Sequence, residues 1–224
     1  MGFYDGPSIV TNGLVLSLDA ADKNSYAGSG TVWRNLANPT SNTATGSLVN
    51  GPTFDTGNNG NIVFDGTNDY VNLPSIDTNS AFTLDFWLMR FDAGSPTMIS
   101  GGVTPSTNGY LQIANFSSFV SLRKSSIAEL GNFGATTATL SNIIYNITVT
   151  RSGTTFSCYI NREFKNTLTV TTTFTTASPA LGQTEILVNE PYAGRMYRFS
   201  YYNRSLSADE ISQNYDAQKS RFGL

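Results

Sequence analysis

Ile62-Val63-Phe64-Asp65-Gly66-Thr67-Asn68-Asp69-Tyr70-Val71 reads as two short extended segments joined by a turn. The segments at 61–64 and 69–73 are apolar enough to be strands. Between them Asp65-Gly66 supplies a turn in which glycine tolerates positive φ and the aspartate side chain holds the loop's amides. The same period of two recurs on both sides of this unit. Leu14, Leu16 and Leu18 alternate with Val15, Ser17 and Asp19; Phe82, Leu84, Phe86 and Leu88 alternate with Thr83, Asp85, Trp87 and Met89. Ile143, Tyr145, Ile147 and Val149 do the same against Ile144, Asn146, Thr148 and Thr150. Each block predicts a strand with one buried face. Further strands are predicted at 110–114, 119–123, 155–160, 164–170, 184–188 and 195–202, separated by turn-rich segments such as Asn50-Gly51-Pro52. Many strands at short spacing favour two packed antiparallel sheets over a parallel α/β fold.

One helix is predicted, at 207–219. Ser207 caps it, Glu210 completes a capping box, and Leu206 staples onto Ile211. Acidic Asp209 and Glu210 open it and basic Lys219 and Arg221 close it, the order the helix dipole favours. Ile211 and Tyr215, one turn apart, fix it to the sheets. The segment Asn38–Asn50 reads as a long surface loop or a partly strand-forming edge. The 224 residues, 39% of them hydrophobic, suit one core: an arm at 1–12 and a domain at 13–224.

Composition excludes several partners and chemistries. Charged residues are only 13% of the chain, and the net charge of −3 leaves no basic patch for nucleic acid. No apolar run approaches membrane-spanning length, and Met1-Gly2-Phe3-Tyr4-Asp5-Gly6 lacks the basic and apolar regions of an export signal. With no histidine, a Ser-His-Asp triad, a Cys-His pair and a His-bearing zinc site are absent. Cys158, the single cysteine, reads as an inert core residue on a strand. Three sequons, at Asn115, Asn146 and Asn203, are the chance product of an Asn/Ser/Thr-rich chain.

Three stretches carry a resemblance. Ile62–Val71 is similar to an F-D-G-x-x-D-Y-V hairpin, Phe82-Thr83-Leu84-Asp85-Phe86-Trp87 to an F-T-x-x-x-W strand, and Gly194–Ile211 to G-x-I-D-x-x-x-I-Y-N-R-A-L-S-x-x-E-I. Together and in this order they resemble the laminin G-like jelly rolls of the concanavalin A-like lectin and glucanase superfamily. The resemblance implies an all-β, two-sheet antiparallel jelly-roll sandwich with a short C-terminal helix. Two departures stand out: Tyr197 replaces the family's acidic residue, and its Y-x-N-G turn reads Tyr159-Ile160-Asn161-Arg162. The ends, Gly6–Leu14 and Arg221-Phe222-Gly223-Leu224, resemble those of laminin G-like proteins in virions of tailed bacteriophages, marine and cyanobacterial ones especially.

The resemblance poses three questions of chemistry. Glucanases of this fold need clustered carboxylates, whereas Glu129, Glu163, Glu185, Glu190 and Glu210 form no Glu-x-Asp-x-Glu cluster; no enzyme is expected. Calcium, common among laminin G relatives, is the candidate cofactor, but Asp65 and Asp69, like Asp19 and Asp22, read as turn residues, and no cofactor or metal is expected. Among aromatics, Trp87 is assigned to packing, while Trp33, Tyr192, Tyr197 and Tyr201 are candidates for a glycan or interface surface. Phe3, Tyr4, Ile9 and Val10 form an apolar arm expected to dock on its own sandwich, on a neighbouring copy or on a particle. The expected role is a non-catalytic virion structural protein, capsid decoration or tail appendage. Its expected partners are other virion proteins, copies of itself and cell-surface polysaccharide. The alternative is a bacterial carbohydrate-binding or adhesive module.

Overall fold

The structure, a computed structural model, describes residues 7–37, 45–91, 97–101, 109–124, 128–135, 139–175, 178–183 and 190–224. In chain order its strands are β1 (Leu14–Asp19), β2 (Val32–Arg34), β3 (Thr45–Val49), β4 (Thr53–Asp55), β5 (Asn61–Asp65), β6 (Tyr70–Asn72), β7 (Phe82–Arg90) and β8 (Thr97–Ser100). They continue with β9 (Leu111–Asn115), β10 (Val120–Lys124), β11 (Ala128–Asn132), β12 (Tyr145–Ser152), β13 (Thr155–Ile160), β14 (Glu163–Thr169), β15 (Ala180–Leu181) and β16 (Ala193–Tyr202). Helix α1 (Ala208–Asp216) and a 3-10 turn, Lys219–Phe222, close the chain.

These strands form two eight-stranded antiparallel sheets. The first runs β14-β13-β12-β7-β16-β5-β4, with β1 on the far half of β16; the second runs β11-β10-β9-β8-β15-β6-β3-β2. Alternation decides what lies between them. Phe82, Leu84, Phe86 and Leu88 of β7 meet Leu111, Ile113, Val120 and Leu122 of the second sheet in one core, together with Cys158, whose thiol pKa burial pushes up. Strands predicted from alternation appear with bounds shifted by one or two residues; the one predicted at 184–188 lies outside the described residues. Strands β2, β4, β8, β11 and β15, of two to five residues, were not predicted, because no alternating block of sequence marks them. β3 is the strand-forming part of the Asn38–Asn50 segment, and 38–44 lie outside the described residues.

β7 is almost entirely buried on both faces. Its outward residues are roofed by α1 and the 3-10 turn: Trp87, Tyr197 and Tyr215 form a second cluster with Met89, Ile144 and Phe222 against it. The capping box is present, with the Ser207 hydroxyl accepting from Glu210 N and the Glu210 carboxylate accepting from Ser207 N. Leu206 and Ile211 pack together with Val10 and Tyr202, so the arm residue Val10 docks on its own sandwich. Trp87 packs as expected, but on the outer face of the sheet.

The hairpin that lacks glycine still makes its two-residue turn. Asn161 and Arg162 both take left-handed backbone, φ 50° and 66°, the geometry a primed turn requires. Asn161 repays part of the strain through its side-chain oxygen, which accepts from Asn146 N at 2.9 Å. Arg162 reaches Asp216 of α1 at 2.8 Å.

Candidate functional site

The outer face of the second sheet is polar and is where accessible chemistry collects. The strand registers place one residue from each strand in a single row: Glu129, Arg123, Gln112, Ser100, Ala180, Asn72, Ser47 and Val32. Gln112, Ser100 and Ala180 in its middle are buried, and both ends are exposed. Beside the row Ser121 and Thr97 both pair with Ala114, and the buried Ser121 hydroxyl has no hydrogen-bond partner.

One end of this row is a built cluster. The Arg123 guanidinium donates to both carboxylate oxygens of Glu190. The Gln112 amide donates to Glu190 at 3.0 Å and to the Thr97 hydroxyl at 3.0 Å. Glu190 is held from its backbone too, its carbonyl accepting from Thr97 N at 3.1 Å. Beyond Arg123 the β9–β10 turn carries Phe116 and Phe119, stacked at 4.7 Å and 24°. The guanidinium carbon lies 5.8 Å from the Phe116 ring centroid. Arg123 and Glu190 retain 28% and 17% of their side-chain exposure, so a ligand at the surface reaches both. Donor, acceptor and aromatic face thus stand together at one end of the second sheet. Such a set suits binding of a polyhydroxyl ligand: hydroxyls need fixed donors and acceptors, and the apolar face of a sugar ring needs a flat surface.

The aromatic residues singled out in the sequence are not part of it, and the structure corrects their assignment. Trp33 and Tyr201 point into the core between the sheets. Tyr192 is fully buried, edge-on to Phe64 at 5.6 Å, and burial raises its phenol pKa well above the ordinary value. Tyr197 lies under Phe222 at 5.2 Å. None presents a surface, because the first sheet covers Trp33, which sits on β2, the second sheet covers Tyr201, which sits on β16, and the C-terminal turn covers Tyr197. In the arm, Val10 is buried, which removes it from any particle-docking surface, and Ile9 is half-buried; Phe3 and Tyr4 lie outside the described residues.

The aspartates weighed as metal ligands serve local backbone. Asp65 accepts from Thr67 N at 2.7 Å, and Asp69 accepts from Asp65 N at 3.0 Å. Asp19 bonds Arg221 at 2.8 Å and Ala21 N at 2.9 Å, and Asp22 accepts from Asn24 N at 2.8 Å. Among the described residues no group of three or more His, Cys, Asp or Glu is placed to hold a metal ion. Among the described residues Asp85 is the most deeply buried carboxylate, and burial raises its pKa against hydrogen bonds from Thr148 at 2.6 Å and Asn146 at 2.8 Å.

The fold is a two-sheet, lectin-like β-sandwich. The family model for the concanavalin A-like lectin/glucanases superfamily matches residues 65–212, and the chain belongs to that superfamily. No curated protein sequence matches it. Among solved structures it is similar to a mutant of Trypanosoma rangeli sialidase displaying trans-sialidase activity. The TM-score is 0.70 at 15% identity over 96% of this chain and 35% of that one. The same sialidase in complex with the inhibitor DANA gives 0.68 at 15% identity, over 96% and 34%. Botulinum neurotoxin type C, whose cell entry depends on interaction with two ganglioside molecules, gives 0.66 at 14%, over 93% and 52%. The chain spans about a third of the sialidase and about half of the neurotoxin chain, and at these identities the likeness is one of fold.

Proposed function

We propose that this chain is a non-catalytic adhesive module, carried in the virion of a tailed bacteriophage as a capsid decoration or tail-appendage protein, that contacts surface polysaccharide through the Arg123–Glu190 end of the second sheet. The observation that supports it most is the pairing at that site. Glu190 has both oxygens engaged by Arg123 and one also by Gln112, with no second carboxylate among its partners. Most glycosidases divide acid and base or nucleophile between two carboxyl groups; a carboxylate held by a guanidinium and an amide, with the neighbouring Glu129 facing Arg123, fits hydroxyl recognition. The neutral-to-acidic composition, the phage-like end sequences and the carbohydrate-linked structural neighbours favour the same reading.

Two measurements test it. A panel of bacterial surface polysaccharides on an array should retain the chain without release of reducing ends, and Phe119→Ala should weaken retention. Mass spectrometry of purified particles from the source should find the chain, in many copies for a capsid role and few for a tail role. Its absence from particles ends the virion reading, and failure to bind any polysaccharide ends the adhesive one.

A further inference from the structure

We infer that this face takes neutral carbohydrate, bearing hydroxyls but no carboxylate or sulfate, an inference that rests on the binding reading above. Charge around the cluster decides it. Arg123 is its only cation, and that guanidinium is committed to Glu190. Across the β10–β11 pair Arg123 faces Glu129, exposed, so one cation stands against two carboxylates. Lys124, the next residue, is turned to Thr172 at 3.2 Å.

The other cation on this face of the described strands is Arg34 on β2, six strands from β10. At about 4.8 Å per strand that is roughly 29 Å, well beyond a screening length of about 10 Å in 0.1 M salt. An anionic sugar would therefore have to take Arg123 from Glu190, leaving that carboxylate beside Gln112 with its charge uncompensated and facing the incoming one. A neutral sugar needs no such exchange. Its hydroxyls accept from the remaining guanidinium donors and donate to Glu190, while its apolar ring face lies on the Phe116–Phe119 pair.

The test compares two ligand sets on the full chain by isothermal titration and on an array. The neutral set is mannan, galactan, β-glucan and chitin oligosaccharides; the anionic set is sialylated oligosaccharides, polygalacturonate and sulfated galactan. The expected result is a neutral ligand bound at least about tenfold more tightly than any anionic one, with affinity nearly independent of salt, since no ion pair forms across the interface. Glu190→Gln should invert the order: neutral affinity falls by about tenfold and anionic affinity rises, because Arg123 is released. Arg123→Gln, which removes the cation and leaves Glu129 as the remaining charge, should abolish anionic binding in the Glu190→Gln background. Preferential binding of an anionic ligand by the unaltered chain, or no gain for anions in Glu190→Gln, overturns the inference while leaving the adhesive reading intact. No binding of either set overturns both.

Discussion

Phe222, two residues before the last, lies flat on Trp87 in the middle of the first sheet, ring centroids 4.4 Å apart and planes at 18°. Tyr215 stacks on the same indole at 5.5 Å, and Arg221, next in sequence, bonds Asp19, Asn58 O and Gly60 O. The end of the chain is thus part of the packing. Phe222→Ala should cost about 2 kcal/mol, less than a fully buried Phe because the ring is partly exposed. For a domain of this size that is a fall in melting temperature of roughly 4 to 8 °C, read by thermal unfolding. An unchanged midpoint would mean that the stack contributes nothing.

The arm is held by backbone recognition. Val10 N donates to Asn214 Oδ1 at 2.8 Å, the Tyr202 hydroxyl donates to Val10 O at 3.0 Å, and the Asn214 amide donates to that hydroxyl at 3.0 Å. Deleting residues 1–10 uncovers Leu206 and Ile211, and should lower stability by about 2 kcal/mol through lost burial and unsatisfied polar groups. Asn214→Ala should cost about 1 to 2 kcal/mol in the full chain and clearly less in the truncated one. Equal costs in both backgrounds would show that Asn214 does not hold the arm.

Glu210 ties helix start to strand end. Hydrogen bonds from Arg204, aided by Ser207 N, hold its carboxyl down at about 2 against an ordinary 4.5. A carboxyl lowered in the folded state contributes stability above its unfolded value that is lost as pH falls through the folded one. The contribution should be complete above about pH 4.5 and gone below about 2. Glu210→Gln should therefore destabilise by about 1 to 2 kcal/mol at neutral pH and converge with the unaltered chain in strong acid. Asp85, raised by burial, has the opposite sign, its contribution being lost as pH rises. The difference between the two proteins across pH, not either curve alone, is the readout.

Calcium should leave stability unchanged, because the Asp65 and Asp69 carboxylates already hold the turn's amides. Ligand at a hundred times its dissociation constant would add about 2.7 kcal/mol, a rise of roughly 5 to 10 °C. Differential scanning calorimetry in calcium and in chelator should give coincident transitions. A rise in calcium that Asp65→Ala abolishes would make this turn a metal site.

The hairpin around Asp65-Gly66, the long strand β7 and the capping box were legible because each is specified by residues adjacent in sequence. The site was not. Arg123 pairs with Glu190 across 67 positions, a contact that only the sheet register and the return of the chain beside β8 create. Part of its signal was present: Val120-Ser121-Leu122-Arg123 alternates, which turns Arg123 outward, and Phe116 and Phe119 flank a two-serine turn. The tyrosines misled for the converse reason. Met196 faces the core, whereas Tyr197 joins the cluster on the opposite face, and the pairing of β16 with β7 is irregular there. An outward residue is exposed only where nothing lies above it, and Tyr197 has Phe222 above it.

The N-terminal arm at Ser8 and Val10 and the C-terminal turn at Lys219–Phe222 are both fastened over the first sheet, while the Arg123–Glu190 cluster lies on the far side of the second. The described segments near the two ends, at Ser8–Val10 and Lys219–Phe222, therefore share one broad side of the sandwich, and the partly exposed side chains of the cluster lie on the other. The domain has a front and a back: a label or a solid support attached at Leu224 sits on the back, away from the Arg123–Glu190 cluster.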